Sequence, residues 1–276
     1  MSVFSHSLHP GTPLMMTYEM CTQTDAGRVR KNNEDAVAVD PNVGLCLLAD
    51  GMGGYNAGEV ASSMAVAFIN FELGRWLARE RDTSTREVSE AMELCMENAN
   101  HSIFTAARSN HDYEGMGTTV VVGVFQEDRL LLGHVGDSRC YRLRGQAFHQ
   151  ITKDHSLLQE QIDAGLITPE QALASPDKNL ITRALGVEDA VRAEIKEHRI
   201  EIGDMYLMCS DGLSDMLGDA EIAAILGAVG PRLPDTALRL VEAANLRGGR
   251  DNISVVLIRV MRDAARRGLL DRMRGR

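Results

Sequence analysis

The run Leu45-Cys46-Leu47-Leu48-Ala49 ends on Asp50 and then turns through Gly51, Met52, Gly53 and Gly54. A short unbroken apolar run of this kind fits a strand, and aspartate followed by glycine is a turn signal at its end. The arrangement recurs along the chain. Asp137 sits in VGDSR, Asp211 in CSDGLSD and Asp251 in GGRDN, while Glu34 and Asp35 open the strand-like DAVAVD. One acid in such a place is a turn or cap residue. Several of them constrain the fold, because strands of one sheet bring their ends together and their carboxylates with them. Clustered carboxylates repel unless a cation sits among them, and an all-oxygen donor set suits Mg²⁺ or Mn²⁺ rather than zinc. The residues alone therefore favour a hard-metal site at the end of a sheet structure.

The pattern around these acids is strand, helix pair, strand meander, helix pair, strand. DAVAVD and LCLLAD read as strands around the turn PNVG. AGEVASSMAVAFINFELGRWLARE carries Val60, Met64, Phe68 and Phe71 at helical spacing, which predicts an amphipathic helix with that face inward. From about Thr85, a second helix puts Val88, Met92, Cys95, Met96, Ala99 and Ile103 on one side. Its methionines read as core packing, not as a cofactor box. TTVVVGVF, RLLLGHVGDS, RCYRLR and AFHQIT form a meander with short polar turns. KDHSLLQEQIDAGLITPEQALASPDKN interrupts it with one short helix and a loop. RAEIKEHRIEI, MYLMCSD and NISVVLIRV return to strand, and helices are expected at DAEIAAILGAV and PDTALRLVEAANL. With no repeat and no low-complexity linker, one layered domain is expected, sheets inside and helices outside.

Composition excludes more than it selects. A net charge of −10 over 276 residues gains little from a phosphate backbone, so nucleic acid is not an expected partner. The five cysteines are odd in number and none has CxxC spacing, which points away from disulfides or a cysteine zinc site and toward a cytoplasmic setting. No apolar run is long enough for a membrane span. Residues 1–16 are rich in Pro, Gly, Ser and His and read as a disordered extension. They precede a domain over 17–260 and a basic tail over 261–276.

VRKNNEDA, LLADGMGG, GMGTTVVV, HVGDSRCYRLR, ITKDHSLLQEQIDAG, LITRALG, CSDGLSDML and GGRDNISVV resemble, in order, the motif series of the metal-dependent protein phosphatases. This is the type 2C serine/threonine group, in its compact bacterial form, and the likeness runs from about Thr22 to Val260. It implies an α+β fold: a four-layer α-β-β-α sandwich of two antiparallel sheets flanked by pairs of helices. It also implies two to three Mn²⁺ or Mg²⁺ ions. By this resemblance Asp50 bridges two metals and the Gly51 carbonyl is a further ligand. Asp211 and Asp251 bind the first metal. Glu34 acts on the second largely through water, and Asp35 supports the cluster. Arg30 matches the phosphate-binding arginine, and Asn252 orients its loop. Asp137 and Asp211 match ligands of a third, weaker metal, to which Ser175, in a flap over about 154–180, lends backbone. The expected chemistry needs no Ser or Cys nucleophile, since a water held by two metals drops in pKa from ~15.7 toward ~7 to 9 and attacks phosphorus in line.

The chain departs from some relatives at Met52, where eukaryotic members carry a histidine that looks like a general acid; a thioether cannot donate a proton. His134 and His155 read as structural, not as ligands. The tail RVMRDAARRGLLDRMRGR holds seven arginines against two aspartates and could form a basic amphipathic helix on Met261, Ala265, Leu269 and Met273. The expected activity is hydrolysis of phosphoserine and phosphothreonine in proteins, by a monomer that opposes a serine/threonine kinase or acts on the kinase's target. The competing readings are a non-catalytic partner-binding sandwich and a hydrolase of small phosphate esters.

Overall fold

A computed structural model describes residues 16–54, 57–80, 83–173, 175, 180–228 and 232–262. The expected N-terminal extension, apart from Met16, and the basic tail beyond Arg262 lie outside the described residues.

Two antiparallel sheets form the centre. The first contains β1 (Met16–Asp25), β7 (Arg139–Arg144), β8 (Ala147–Gln150), β10 (Met205–Cys209) and β11 (Ile253–Arg262), in the order β1-β11-β10-β7-β8. The second contains β2 (Asp35–Asp40), β3 (Leu45–Met52), β5 (Val120–Gln126), β6 (Arg129–Val135) and β9 (Glu194–Arg199), in the order β2-β3-β5-β6-β9, with β4 (Gly117–Thr118) pairing the end of β3. Helices α1 (Ala57–Arg79) and α2 (Thr85–Ser109) cover the second sheet, and α5 (Asp211–Ser214), α6 (Asp219–Gly227) and α7 (Leu233–Leu246) cover the first. The short α3 (Leu157–Asp163) and α4 (Pro169–Leu173) lie in the flap, where the sequence predicted only one helix.

Three cores fill the three spaces between layers, and this explains the unbroken apolar runs. On β3, Leu45, Leu47 and Ala49 pack toward α1 and α2, while Cys46 and Leu48 point between the sheets. On β10, Leu207 and Cys209 face the α6–α7 side and Tyr206 and Met208 face the other sheet. A strand buried on both faces cannot alternate with polar residues, and each such Leu, Ile or Val contributes about 1.5–3 kcal/mol by leaving water. All five cysteines are free thiols, three of them buried in these layers.

The structure corrects one residue of the expected face of α1, Phe71, and places a more deeply buried stripe beside the other three. The buried stripe is Ala57, Ala61, Ala65, Ile69 and Leu73. Val60, Met64 and Phe68 are only partly buried, and Phe71 is 61% exposed. The small residues of this stripe lie directly against the sheet. Phe68 instead lines the groove between α1 and α2. α2 starts on a capping box in which Ser84 and Glu87 satisfy each other's backbone N–H groups. β1 was not predicted. Its mixed sequence MTYEMCTQTD sits at a sheet edge and pairs residue by residue with β11 from Met16↔Arg262 to Asp25↔Ile253. That strand carries Met261 and Arg262.

Candidate metal centre

Asp50 is fixed by its backbone. Its N–H donates to Thr119 Oγ1 at 3.0 Å, and its carbonyl oxygen accepts from Thr118 Oγ1 at 2.8 Å and the Thr119 N–H at 2.9 Å. The β2–β3 register places Asp35 directly across from Asp50. Asp35 Oδ2 accepts from the Ser210 hydroxyl at 2.8 Å, whereas its Oδ1 is buried with no hydrogen-bond partner among the described residues.

The neighbouring loops approach as closely as backbone permits. A Cβ on Gly51 would lie 2.0 Å from the Gly58 carbonyl oxygen and 2.6 Å from that of Glu34, so only glycine fits there. A Cβ on Gly58 would lie 2.4 Å from Glu34 Oε2, which puts that carboxylate against the start of α1. Asn252 ties the 26–34 loop to the other sheet. Its Oδ1 accepts the Glu34 N–H at 2.8 Å, and its Nδ2 donates to the Ala26 and Asn32 carbonyls at 3.1 and 2.9 Å. Its own N–H donates to Asp251 Oδ1 at 2.9 Å. Arg30, more than half exposed, donates to Asp251 Oδ2 at 2.7 Å. Asp211 is the first residue of α5, next to Ser210, and a Cβ on Gly212 would lie 1.9 Å from the Asn252 carbonyl oxygen.

Electrostatics show which acids feel one another's charge. Burial, then Asp35, Asp211, Asp137 and Asp251, push the Asp50 carboxyl well above the usual range. Burial, followed by Asp137, Asp215, Asp251 and Asp35, pushes Asp211 up to about 8. Asp137 rises to about 6 through burial and the charge of Asp154. Asp35 also rises to about 6, chiefly through burial, with the Ser254 and Ser210 hydroxyls pulling the other way. Glu34 is raised by burial, with Arg30 opposing and Asp251 adding to the shift. Without a cation, such a group holds protons at neutral pH; a bound cation reverses that preference. The donor set fits a hard divalent ion on two observations, the mutual repulsion and the orphaned Asp35 Oδ1.

Asp35, Asp137, Asp211 and Asp251 thus all bear on Asp50, and Asp251 bears on Arg30 and Glu34. Ser175 lies in the loop after α4, its N–H on the Ala172 carbonyl, and its neighbours 174 and 176–179 lie outside the described residues. Sequence reasoning missed Thr118, Thr119 and Ser210. The only signal for them was a hydroxyl residue beside each motif, since their contacts are to backbone or across sheets.

Two antiparallel sheets between helix layers, with an all-oxygen acidic cluster at their strand ends, define a metal-dependent phosphatase architecture. A family model described as protein phosphatase 2C matches residues 23–243. Protein phosphatase PhpP of Streptococcus pneumoniae is 39% identical over 243 residues, 87% of this chain and 96% of that protein. The crystal structure of the Mycobacterium tuberculosis serine/threonine phosphatase PstP/Ppp aligns with a TM-score of 0.77 at 38% identity, covering 88% of this chain and 98% of that one. The PstP catalytic domain solved in complex with two manganese ions gives 0.78 at 37% identity, covering 89% and 99%. The chain belongs to the protein phosphatase 2C family.

Proposed function

We propose that this chain hydrolyses phosphoserine and phosphothreonine in proteins, using Mn²⁺ or Mg²⁺ held by Asp50, the Gly51 carbonyl, Asp211, Asp251 and Glu34, with Asp137, Asp211 and Ser175 serving a third ion. The observation that carries it is the buried pair Asp50 and Asp211, whose affinity for positive charge is raised by burial and by the charges of Asp35, Asp137 and Asp251, beside Arg30. When bound, the ions supply Lewis acidity toward phosphoryl oxygens and acidify water at the site.

The chain's own residues do the rest. Thr118 and Thr119 hold the Asp50 backbone, and Asp35 anchors the cluster to Ser210 on the first sheet. Arg30 presents a guanidinium fork that suits two phosphate oxygens, and its exposure leaves it accessible to a phosphate on a protein surface. A cysteine nucleophile is disfavoured. Cys209, two residues before Asp211, is fully buried with its thiol pushed up to about 12, and a thiolate is what such chemistry needs. Met52 supplies no proton. Substrates are expected among the products of serine/threonine kinases.

The test compares phosphoserine and phosphothreonine peptides with small phosphate metabolites, in Mn²⁺ and after chelation. Peptide turnover that chelation abolishes and Mn²⁺ restores supports the reading. Preferential turnover of metabolites would replace it with a small-ester hydrolase, and no turnover of either would favour a binding domain.

A further inference from the structure

Outside the acidic centre, the described residues hold one further cluster of metal-ligand type, formed by His134, His155 and Glu194, whose donor atoms all lie within 4.8 Å of one another. Its hydrogen bonds decide what it does. The imidazoles stack with centroids 4.7 Å apart and planes 15° apart, and both are nearly fully buried. His134 Nε2 lies 2.8 Å from the Lys153 carbonyl oxygen, which can only accept, so that nitrogen carries the proton. His155 Nδ1 accepts the Gly136 N–H at 3.1 Å, so Nδ1 is bare and the neutral ring carries its proton on Nε2. That nitrogen faces Glu194 Oε2 at 3.8 Å. A metal on His155 Nε2 would move the proton to Nδ1, against the Gly136 N–H. A cation is therefore disfavoured at His155, whose Nε2 has no hydrogen-bond partner among the described residues, and the hydrogen bond that fixes this ring is the one at Nδ1.

His155 also returns its backbone to both sides. Its N–H donates to the Gly136 carbonyl at 3.0 Å, and its carbonyl accepts the Thr182 N–H at 2.9 Å at the far end of the flap. Gly136 precedes Asp137 and has φ +104, and a Cβ there would lie 2.6 Å from Thr119 Cγ2. Thr119 in turn accepts from the Asp50 N–H and shares a 2.8 Å hydrogen bond with Ser138. A continuous set of contacts thus runs from the flap through His155, Gly136 and Thr119 to Asp50.

We propose that His155 is a positioning residue: through Nδ1 it fixes the Gly136–Asp137 turn and couples the flap to the part of the metal centre that Asp137 serves. The inference rests on the proposed role of Asp137 at a third ion. Asparagine at 155 keeps an acceptor near the Nδ1 place, glutamine moves its amide to the Nε2 place, and phenylalanine keeps only packing. Mn²⁺ is titrated calorimetrically into chelated protein without substrate, and the weak binding event lost in Asp137→Asn is followed. His155→Gln and His155→Phe should weaken that event by about 10- to 100-fold, the usual cost of losing a supporting contact, and speed hydrogen exchange at Thr182. His155→Asn should restore both. Wild-type behaviour in all three variants, with Asp137→Asn still losing the event, overturns the inference alone; an unchanged titration in Asp137→Asn overturns the reading beneath it. Should the variants fail to fold, the ¹⁵N tautomer of wild-type His155 decides: protonation at Nε2 supports the proposal and protonation at Nδ1 overturns it.

Discussion

Asp50 shows what a single carboxylate costs and supplies at this site. Four other aspartates raise its carboxyl, so in the metal-free protein its charge is a liability, which the proposed role as a metal ligand would turn to use. Asp50→Asn is therefore expected to act in opposite directions on two measurements. Phosphopeptide kcat/KM should fall by about 10³-fold or more, ~4 kcal/mol of lost transition-state stabilisation. The melting temperature of the chelated protein should rise, by about 2–4 °C for each kcal/mol of repulsion relieved. A loss of activity accompanied by destabilisation would mark Asp50 as a fold residue. Arg30 makes a second case. Arg30→Ala should raise KM for a phosphopeptide by roughly 10- to 100-fold, the worth of a charged hydrogen bond. Arg30→Lys should recover only part of it, because an ammonium lacks the fork. The acids of the centre were legible in the sequence because each stands at a strand end beside a turn residue. Thr119 and Ser210 were not, since what matters about them is a contact across sequence distance, to Asp50 and to Asp35.

At the scale of elements, the centre depends on loops from two sheets held backbone to backbone. Asn252 is the joint, with three side-chain hydrogen bonds to the 26–34 loop. Asn252→Ala leaves one N–H and two carbonyls unpaired, and should cost about 2–4 kcal/mol in chemical denaturation. Weaker Mn²⁺ binding should accompany it, because the Glu34 loop and Asp251 would no longer share an anchor. Unchanged Mn²⁺ affinity in that variant would refute the joint. Apolar periodicity located most of the strands and the longer helices, since burial on one face or two writes itself into the run. It misjudged α1 at Phe71, which hydrophobicity favours but which lies off the buried stripe that runs from Ala57 through Ile69 to Leu73. It also missed β1, whose partly buried edge position tolerates MTYEMCTQTD without a clear pattern.

For the molecule as a whole, three apolar cores support one strained acidic end, and ion binding is coupled to folding through protons. Asp211, at about 8, and Asp137 and Asp35, at about 6, hold protons in the metal-free fold that the unfolded chain releases near pH 4. The folded state then binds more protons than the unfolded one between about pH 4 and 8, so these groups cost the chelated protein stability as pH rises. Ions bind the deprotonated carboxylates, so the stabilisation by Mn²⁺ should grow over the same range. At a hundredfold excess over Kd it is about 2.7 kcal/mol, roughly 5–10 °C for a domain of this size; at one fixed Mn²⁺ concentration it should be larger at pH 8 than at pH 5.5. The central claim is that the aspartate cluster holds the ions on which phosphatase activity depends. Its most direct test is a Mn²⁺ titration of chelated wild type, Asp50→Asn and Asp211→Asn, following binding by calorimetry and phosphoserine-peptide hydrolysis on the same samples. The account predicts that binding and turnover rise together in wild type and are lost together in both folded variants. Turnover that persists in a variant unable to bind Mn²⁺, or in fully chelated wild type, would contradict it.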